Sequence, residues 1–380
     1  MIRHILKIIW NERKTNTWIM LEFIVVFCIL WFCFDYFYFL GKSYFESSGF
    51  DDKHTYTVDI SVNSLAEEPD EEIQYSITNT MLDRIRNYPG VEYVSISNAA
   101  IPYTWSRSSW GVKVDNDSIY YSAQIRRVTP EYFKVFKIEF QRGGTFSSHE
   151  SDKEVVVFPD RNGKFGEYPN ASINAMEIRE ISFSDKRYNV SGVTQGVRTH
   201  FLEPFYSGIF IPMEKDDMYP DQNIVIRVSP EADKKDFVAR FTADMKAQLS
   251  IEPYSFTGLS KISDRKKQYF SREADDNVKS VSAITIFLIA NILLGIIGTF
   301  WVKVQSRKSE IGLRLALGAS KNKIRWMMFA EAALMLVIAS VVSTYICLNL
   351  GQSEILQGLG IPLADRVMAG IGPEQDIVNY

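Results

Sequence analysis

The chain has 380 residues, with 42 Lys plus Arg against 46 Asp plus Glu and a formal net charge of −4. That length allows two domains of ordinary size, and the slightly acidic balance argues against nucleic acid as a partner. The average composition, 46% apolar and 23% charged, is that of a soluble protein, but the apolar and charged residues are strongly segregated along the chain.

Residues 1–17 place Ile2, Ile5, Leu6 and Ile9 on one helical face and Arg3, His4 and Lys7 mostly on the other. This predicts an amphipathic helix on the inner membrane surface; a simple basic flank fits equally well. The first transmembrane segment follows at 18–40. Its acids, Glu22 and Asp35, lie near the ends, where a carboxylate reaches headgroup water. No small-x-small cleavage pattern follows, so an uncleaved anchor is expected.

Residues 41–261 read as a mixed α/β domain outside the membrane. Strand-forming runs lie at 55–62, 91–97, 118–128, 154–158, 187–194, 207–212 and 223–229. Ile77, Met81, Leu82 and Ile85 share a helical face that Pro89-Gly90 terminates, and a second amphipathic helix covers 232–249. "AEEPDEE" at 66–72 reads as an exposed acidic loop. Residues 262–280 are polar, lack Gly and Pro, and run straight into the next apolar segment. They predict one continuous stalk helix, since a flexible linker would favour Gly, Ser and Pro.

Val281–Val302 carries no charge and neither does Ala332–Leu350. A helix of about 20 residues crosses a hydrocarbon core of about 30 Å, so 281–302 and 326–350 are the second and third spans. The intervening loop, 303–325, and residues 1–17 are rich in Lys and Arg, which puts both in the cytoplasm. The segment 351–380 then lies outside. Cys28, Cys33 and Cys347 all fall in spans, so the external domain has no disulfide and must be held by its own core.

Motifs for chemistry are missing. There is no G-x-x-x-x-G-K-[ST], no G-x-S-x-G and no H-E-x-x-H, and His4, His54, His149 and His200 are far apart. The surroundings of His149 read as a solvated turn, and "PDRNG" at 159–163 as a turn without the Glu a calcium loop needs. No catalytic, cofactor or metal site is therefore predicted. Within the spans, Asn291 needs a hydrogen-bond partner, and Gly295 and Gly298 allow close helix approach. Glu331 can reach the interface or pair with the cytoplasmic loop; Asn291 and Glu331 are the membrane-interface candidates.

The most informative stretch is "RKSEIGLRLALGASKNKI", Arg307 to Ile324. As a helix it sets Glu310 and Arg314 in the favourable i,i+4 order, puts Ile311 with Leu315 on one face and Leu313 with Leu317 on another, and ends at Gly318. Ser320 can cap the next helix. Lys321, Lys323 and Arg325 crowd that helix's N-terminus against the macrodipole, which an anionic inner leaflet would offset. The shape suits docking rather than catalysis.

The stretch resembles the segment after the second span of MacB-like and FtsX-like ABC transporter permeases, with Arg307, Glu310, Ile311, Gly312, Arg314, Ala316, Gly318, Ala319, Ile324 and Glu331 at matching positions. "VTPEYFKVFKIEFQRGGTFSS" at 128–148, with Pro130, Tyr132, Phe133, Arg142 and Gly143, resembles the MacB-type periplasmic core, as do "YNVSGVTQGVRT", "FIPM" and "VIRVSP". The resemblance implies a multi-pass protein of the bacterial inner membrane whose large periplasmic α/β domain, of two subdomains, stands on helical stalks. It implies a separate cytoplasmic ABC ATPase that binds the ATP, this chain carrying no cofactor. It also implies a second permease subunit, and a periplasmic adaptor or outer-membrane partner. Arg307, Glu310, Ile311, Gly312, Arg314, Gly318 and Ala319 become the ATPase-coupling residues. The expected function is mechanotransmission, moving the periplasmic domain to extrude drugs, peptides or lipoproteins. FtsX-like signalling to a periplasmic partner, and a membrane-anchored binding module without ATPase, are the alternatives. The family typically carries four spans with both termini inside, against three here: either the sequence is cut before a fourth span, which is the expectation, or the protein departs from the family.

Overall fold

The structure, a computed structural model, describes residues 13–352 except 68, 105, 116–118, 147–153, 170–171 and 180–184. Most of the expected N-terminal amphipathic helix, His149 and the segment from 353 onward lie outside the described residues. The described chain forms two units, residues 43–273 and residues 13–42 with 274–352.

In chain order the elements are α1 (Arg13–Phe45), β1 (Thr55–Val62), α2 (Glu71–Arg86), β2 (Val91–Asn98), β3 (Ser108–Val114), β4 (Tyr121–Val128) and α3 (Tyr132–Val135). Then come β5 (Phe140–Gly143), β6 (Glu154–Phe158), the short pair β7 (Lys164–Phe165) and β8 (Tyr168–Pro169), β9 (Ala175–Arg179), β10 (Asp185–Thr194), β11 (Gly208–Pro212) and β12 (Asn223–Val228). The last are α4 (Phe237–Leu249), β13 (Tyr254–Lys261), α5 (Ile262–Glu273), α6 (Asp275–Ser306), α7 (Lys308–Ala316) and α8 (Lys321–Gln352).

The unit 43–273 is the body. It opens with β1-α2-β2 and closes with β12-α4-β13, whose strands pair antiparallel in the order β2-β12-β1-β13. This is a split βαβ sandwich. One face is covered by Met81, Leu82 and Ile85 of α2 and by Phe237, Phe241, Met245 and Leu249 of α4, packed on Val58, Ile96, Ile224 and Ile226. Helical spacing puts each set on one stripe, and period-two spacing puts the strand residues on one face.

Between β2 and β12 the chain inserts a closed barrel. Its strands run β11-β6-β10-β9-β3-β4, and β11 also pairs in parallel with β4, which completes the ring. Val112, Ile125, Val155, Val157, Met176, Ile209 and Ile211 fill the interior. Alternate residues point outward, where the Phe210 ring meets Phe158 at 4.8 Å and Phe133 of α3 at 5.1 Å. Because β11 is buried on both faces, its sequence is a continuous apolar run rather than an alternation. Strand β4 also pairs with β2, Ser97 opposite Val128 and Asn98 opposite Arg127, and so joins barrel to sandwich.

The structure adds to the sequence reading and corrects it in places. Strands β3, β5, β9 and β13 were not expected; "SSWGVKV" and "YSFTGLSK" carry Ser, Gly and Lys, and their register is imposed by distant partners such as β4 and β1. Glu71 and Glu72 form the first turn of α2 rather than a loop, where the helix dipole favours acids. The helix expected to be continuous over 262–280 is two helices, interrupted at Ala274. The break carries no Gly or Pro. Asp275 and Asp276 open α6, where the dipole favours acids, whereas the last turn of α5 holds both Arg272 and Glu273.

In the other unit, three helices among the described residues are long and apolar enough to cross a membrane: Thr17–Phe45, Asp275–Gly298 and Lys321–Leu350. The 33 residues of α1 reach about 50 Å at about 1.5 Å per residue, more than the hydrocarbon core of about 30 Å. Ile286, Phe287, Leu294 and Ile297 of α6 are exposed, an arrangement favourable in lipid and costly in water. Val26 and Leu30 of α1 pack on Leu288 of α6. The Ser343 hydroxyl of α8 donates to the Ile24 carbonyl of α1 at 3.1 Å, tying those helices by a hydrogen bond without solvent competition.

Candidate functional site

The charged loop between α6 and α8 folds into one short helix with defined ends. The α7 helix starts at Arg307, whose carbonyl accepts the Ile311 N–H at 2.9 Å. Glu310 and Arg314 pair one turn apart at 2.5 Å, as their spacing requires. At the other end Gly318 takes φ +90. The Ala319 N–H then donates to the Arg314 carbonyl and the Gly318 N–H to the Leu315 carbonyl, each at 3.0 Å. These are the two bonds of a Schellman terminus. Ser320 begins the next helix, its Oγ accepting the Lys323 N–H at 3.3 Å. A helix, a reversal and a second helix are thus specified by local bonds, and the connection from Ala316 to Lys321 is short, as helix–helix connections commonly are.

Two side-chain ties hold α7 to α8. Arg307 donates from Nη1 to Glu331 Oε2 at 3.0 Å, and both side chains are nearly buried. Of the two options open to Glu331 in the sequence, pairing with the loop is the one adopted. Arg314 also reaches the Met327 sulfur at 3.1 Å. Glu331 belongs to the stripe Ile324, Met328, Glu331, Met335 that α8 turns inward, which is why a carboxylate here needs a guanidinium.

The outward side of α7 is the reverse. None of its nine residues is buried. Leu313 is 62% exposed, Leu317 just past its end 79%, and Trp326 at the start of α8 74%. A Cβ at Gly312 would meet nothing within 4 Å outside the helix's own backbone. A nine-residue helix with this little contact is below the length that is stable alone in water; its ends and its two ties hold it, and its apolar residues await a surface.

The structure therefore brings Arg307 to Glu331, and Arg314 to both Glu310 and Met327, and sets Ile311, Gly312, Gly318 and Ala319 along the same helix and turn. Asn291 is not part of this group. It lies half-buried in mid-α6 and makes no side-chain hydrogen bond to another described residue. Met327 was missed, although helical spacing places it on the side facing Arg314. Among the described residues no group of three or more His, Cys, Asp or Glu could hold a metal ion.

Residues 41–244 match the family model of the MacB-like periplasmic core domain, and residues 282–353 that of the FtsX-like permease C-terminal domain. The chain belongs to the MacB-like, FtsX-like ABC permease family. The α7 foot lies inside the FtsX-like match, and the MacB-like match takes in the barrel and the sandwich as far as the middle of α4, with β13 beyond it. Among curated relatives of this permease is "Macrolide export ATP-binding/permease protein MacB" of Mannheimia succiniciproducens, 22% identical over 260 residues. The match covers 65% of this chain and 38% of that protein. The protein of the same name from Escherichia coli strain K12 is 22% identical over 250 residues, covering 60% and 36%. The chain thus spans well under half the length of these relatives. The crystal structure of the periplasmic region of MacB from Actinobacillus actinomycetemcomitans is 13% identical and covers 58% of this chain and 94% of that one. Its TM-score of 0.38 is too low to add to the assignment.

Proposed function

We propose that this permease is the membrane subunit of a mechanotransmission machine. A separate cytoplasmic ABC ATPase binds and hydrolyses ATP, docks on α7, and its closure is carried through the membrane helices to the body in the periplasm. The product of that motion is extrusion of envelope substrates such as drugs, peptides or lipoproteins. The observation that carries this reading is the foot: a helix fixed at both ends and tied to α8, yet without one buried residue of its own. A structure so well specified and so poorly covered is suited to a partner surface. The lysines and arginine at 321, 323 and 325 support a cytoplasmic position. The names of the curated relatives join an ATP-binding part to a permease, and this sequence contains no phosphate-binding loop, which supports the reading that a partner ATPase binds the nucleotide. A second permease subunit completes the machine.

The test is capture. The tagged full chain, extracted from its own membranes, retains a polypeptide that carries G-x-x-x-x-G-K-[ST]. Retention is lost with Leu313→Asp plus Leu317→Asp and weakened by charge reversal at Glu310 or Arg314, while the variants reach the membrane at wild-type level. Unchanged retention in all of them removes the docking role from α7.

A further inference from the structure

Within the unit 43–273, the end of α1, the barrel and α5 meet at a place that no sequence motif marks. The connection between β10 and β11, residues 195–207, threads between the end of α1 and α5. Arg198, 3% exposed, donates from Nη2 to the carbonyls of Ser43 at 2.8 Å and Glu46 at 3.0 Å. Those carbonyls belong to the last turn of α1 and the residue after it, where unsatisfied acceptors and the negative end of the dipole favour a cation. The Glu46 carboxylate closes the ring on Arg198 at 3.5 Å and also holds Arg161, from the β6–β7 turn of the barrel, at 2.8 Å.

The third element is α5. Lys266 donates to the Tyr44 carbonyl at 3.0 Å, and the Tyr44 ring sits against Phe201 of the connection at 5.3 Å and Phe270 of α5 at 5.5 Å. Next to it, His200 stacks on Tyr269 of α5 at 4.5 Å. The backbones are equally close. Gly49 has φ +83, and a Cβ there would collide with the Gly196 carbonyl oxygen. So the end of α1, the barrel and α5 meet in a knot of buried charge and stacked rings. Such a junction has little freedom to slide, because each guanidinium bond is directional and the rings are close-packed.

We infer that residues 195–207 are the joint through which α1 and α5 turn the barrel as one body, with Arg198 as the positioning residue that locks it. This rests on the mechanotransmission reading and adds the place where force enters the barrel. Because Arg198 grips the Ser43 and Glu46 carbonyls at the end of α1 and a carboxylate shared with the barrel, Arg198→Ala loosens α1 from the barrel, leaving Arg161–Glu46 and the Lys266–Tyr44 hydrogen bond as the remaining polar ties.

The experiment uses the full chain with its captured P-loop partner in lipid nanodiscs. Spin labels at Lys164→Cys on the barrel and Lys267→Cys on α5, both exposed, report the joint. Fluorophores at Trp18→Cys and Lys164→Cys report motion between ADP and ATP-vanadate. In the otherwise unchanged protein the spin-label distance is narrow and the same in both nucleotide states, while energy transfer responds to nucleotide. With Arg198→Ala the distance broadens and the nucleotide response falls about 2- to 30-fold, the range expected for loss of a coupling contact, while ATP hydrolysis continues. Lys266→Met, which keeps the arginine, shows a smaller fall and serves if the alanine variant does not fold. A narrow distance and a full nucleotide response in both variants overturn the joint. No nucleotide response in the unchanged protein overturns the mechanotransmission reading instead, and the joint's role in it.

Discussion

In the body, β11 is buried along its whole length, the barrel interior is closed, and even charged side chains such as Arg198, Arg227 and Glu203 are enclosed. In the foot, no residue of α7 is fully buried, and Leu313 and Leu317 are exposed. Both regions are well specified, the body by long-range packing and the foot by caps and short-range ion pairs. The difference teaches that order and burial are separate properties. A segment can have one conformation and still lack the surface that would cover it, and that pairing is what a docking element needs.

The sharpest way to break the comparison is to remove packing from the body. Phe210 is fully buried and its ring touches Tyr132, Phe133 and Phe158. Phe210→Ala is expected to lower the stability of the body by about 3–5 kcal/mol, measured by thermal or denaturant unfolding. Capture of the P-loop partner by molecules that remain folded is unchanged. A large truncation in α7 has the opposite profile. If Phe210→Ala costs little, the aromatic cluster of Tyr132, Phe133, Phe158 and Phe210 on the outer face of the barrel is not the close-packed layer described.

Legibility in the sequence follows the same division. Strands β6 and β11 and helices α2 and α4 announce themselves through apolar runs and spacing, because each buries its own stripe. The foot was legible nearly to the residue, since Glu310–Arg314, Gly318 and Ser320 act on neighbours within a turn. What escaped is long-range. Strand β13 is a strand because β1 pairs with it, and nothing local in "YSFTGLSK" demands it. Arg198 reaches back 155 residues to Ser43, a bond no periodicity encodes. The break at Ala274 likewise carries no Gly or Pro to mark it.

Acid probes the buried charge of the body. Arg107 donates from Nη2 to His200 Nε2 at 3.1 Å, which requires a lone pair there and hence a neutral imidazole. Glu203 Oε2 lies 3.4 Å from the same nitrogen, but the arginine's bond decides the protonation state. Burial first, then Arg107, Arg198 and Arg126, push the His200 pKa down to about 3. Unfolding releases it to its ordinary value of 6.5. Between these values the unfolded chain binds a proton that the folded one refuses, so stability falls as pH drops, by up to about 1.4 kcal/mol per pH unit. By about pH 5 the body is expected to lose about 2 kcal/mol to this group. His200→Gln, which can still accept from Arg107, flattens that slope; a slope unchanged in the variant assigns the acid sensitivity elsewhere.

The smallest effect on folding, and the most discriminating, is expected at the end of the foot. Gly318 is held at φ +90 with no atom near enough to crowd a Cβ, so Gly318→Ala meets only the conformational cost of a left-handed L-residue, about 1–2 kcal/mol. That cost falls on the Schellman turn and not on the body, whose unfolding curve stays put. If docking needs the turn preformed, capture of the P-loop partner weakens by the same energy, about 5- to 30-fold. Gly318→Asn separates shape from chemistry, because asparagine visits the left-handed region more readily, and it recovers most of the affinity. Gly312 supplies the contrast. It sits inside α7 with open space about it, and Gly312→Ala strengthens the helix by up to about 1 kcal/mol. Weaker capture by this more stable helix would mean that the partner's backbone comes close at Gly312, whereas stronger capture would mean that helix order alone sets the affinity of the foot.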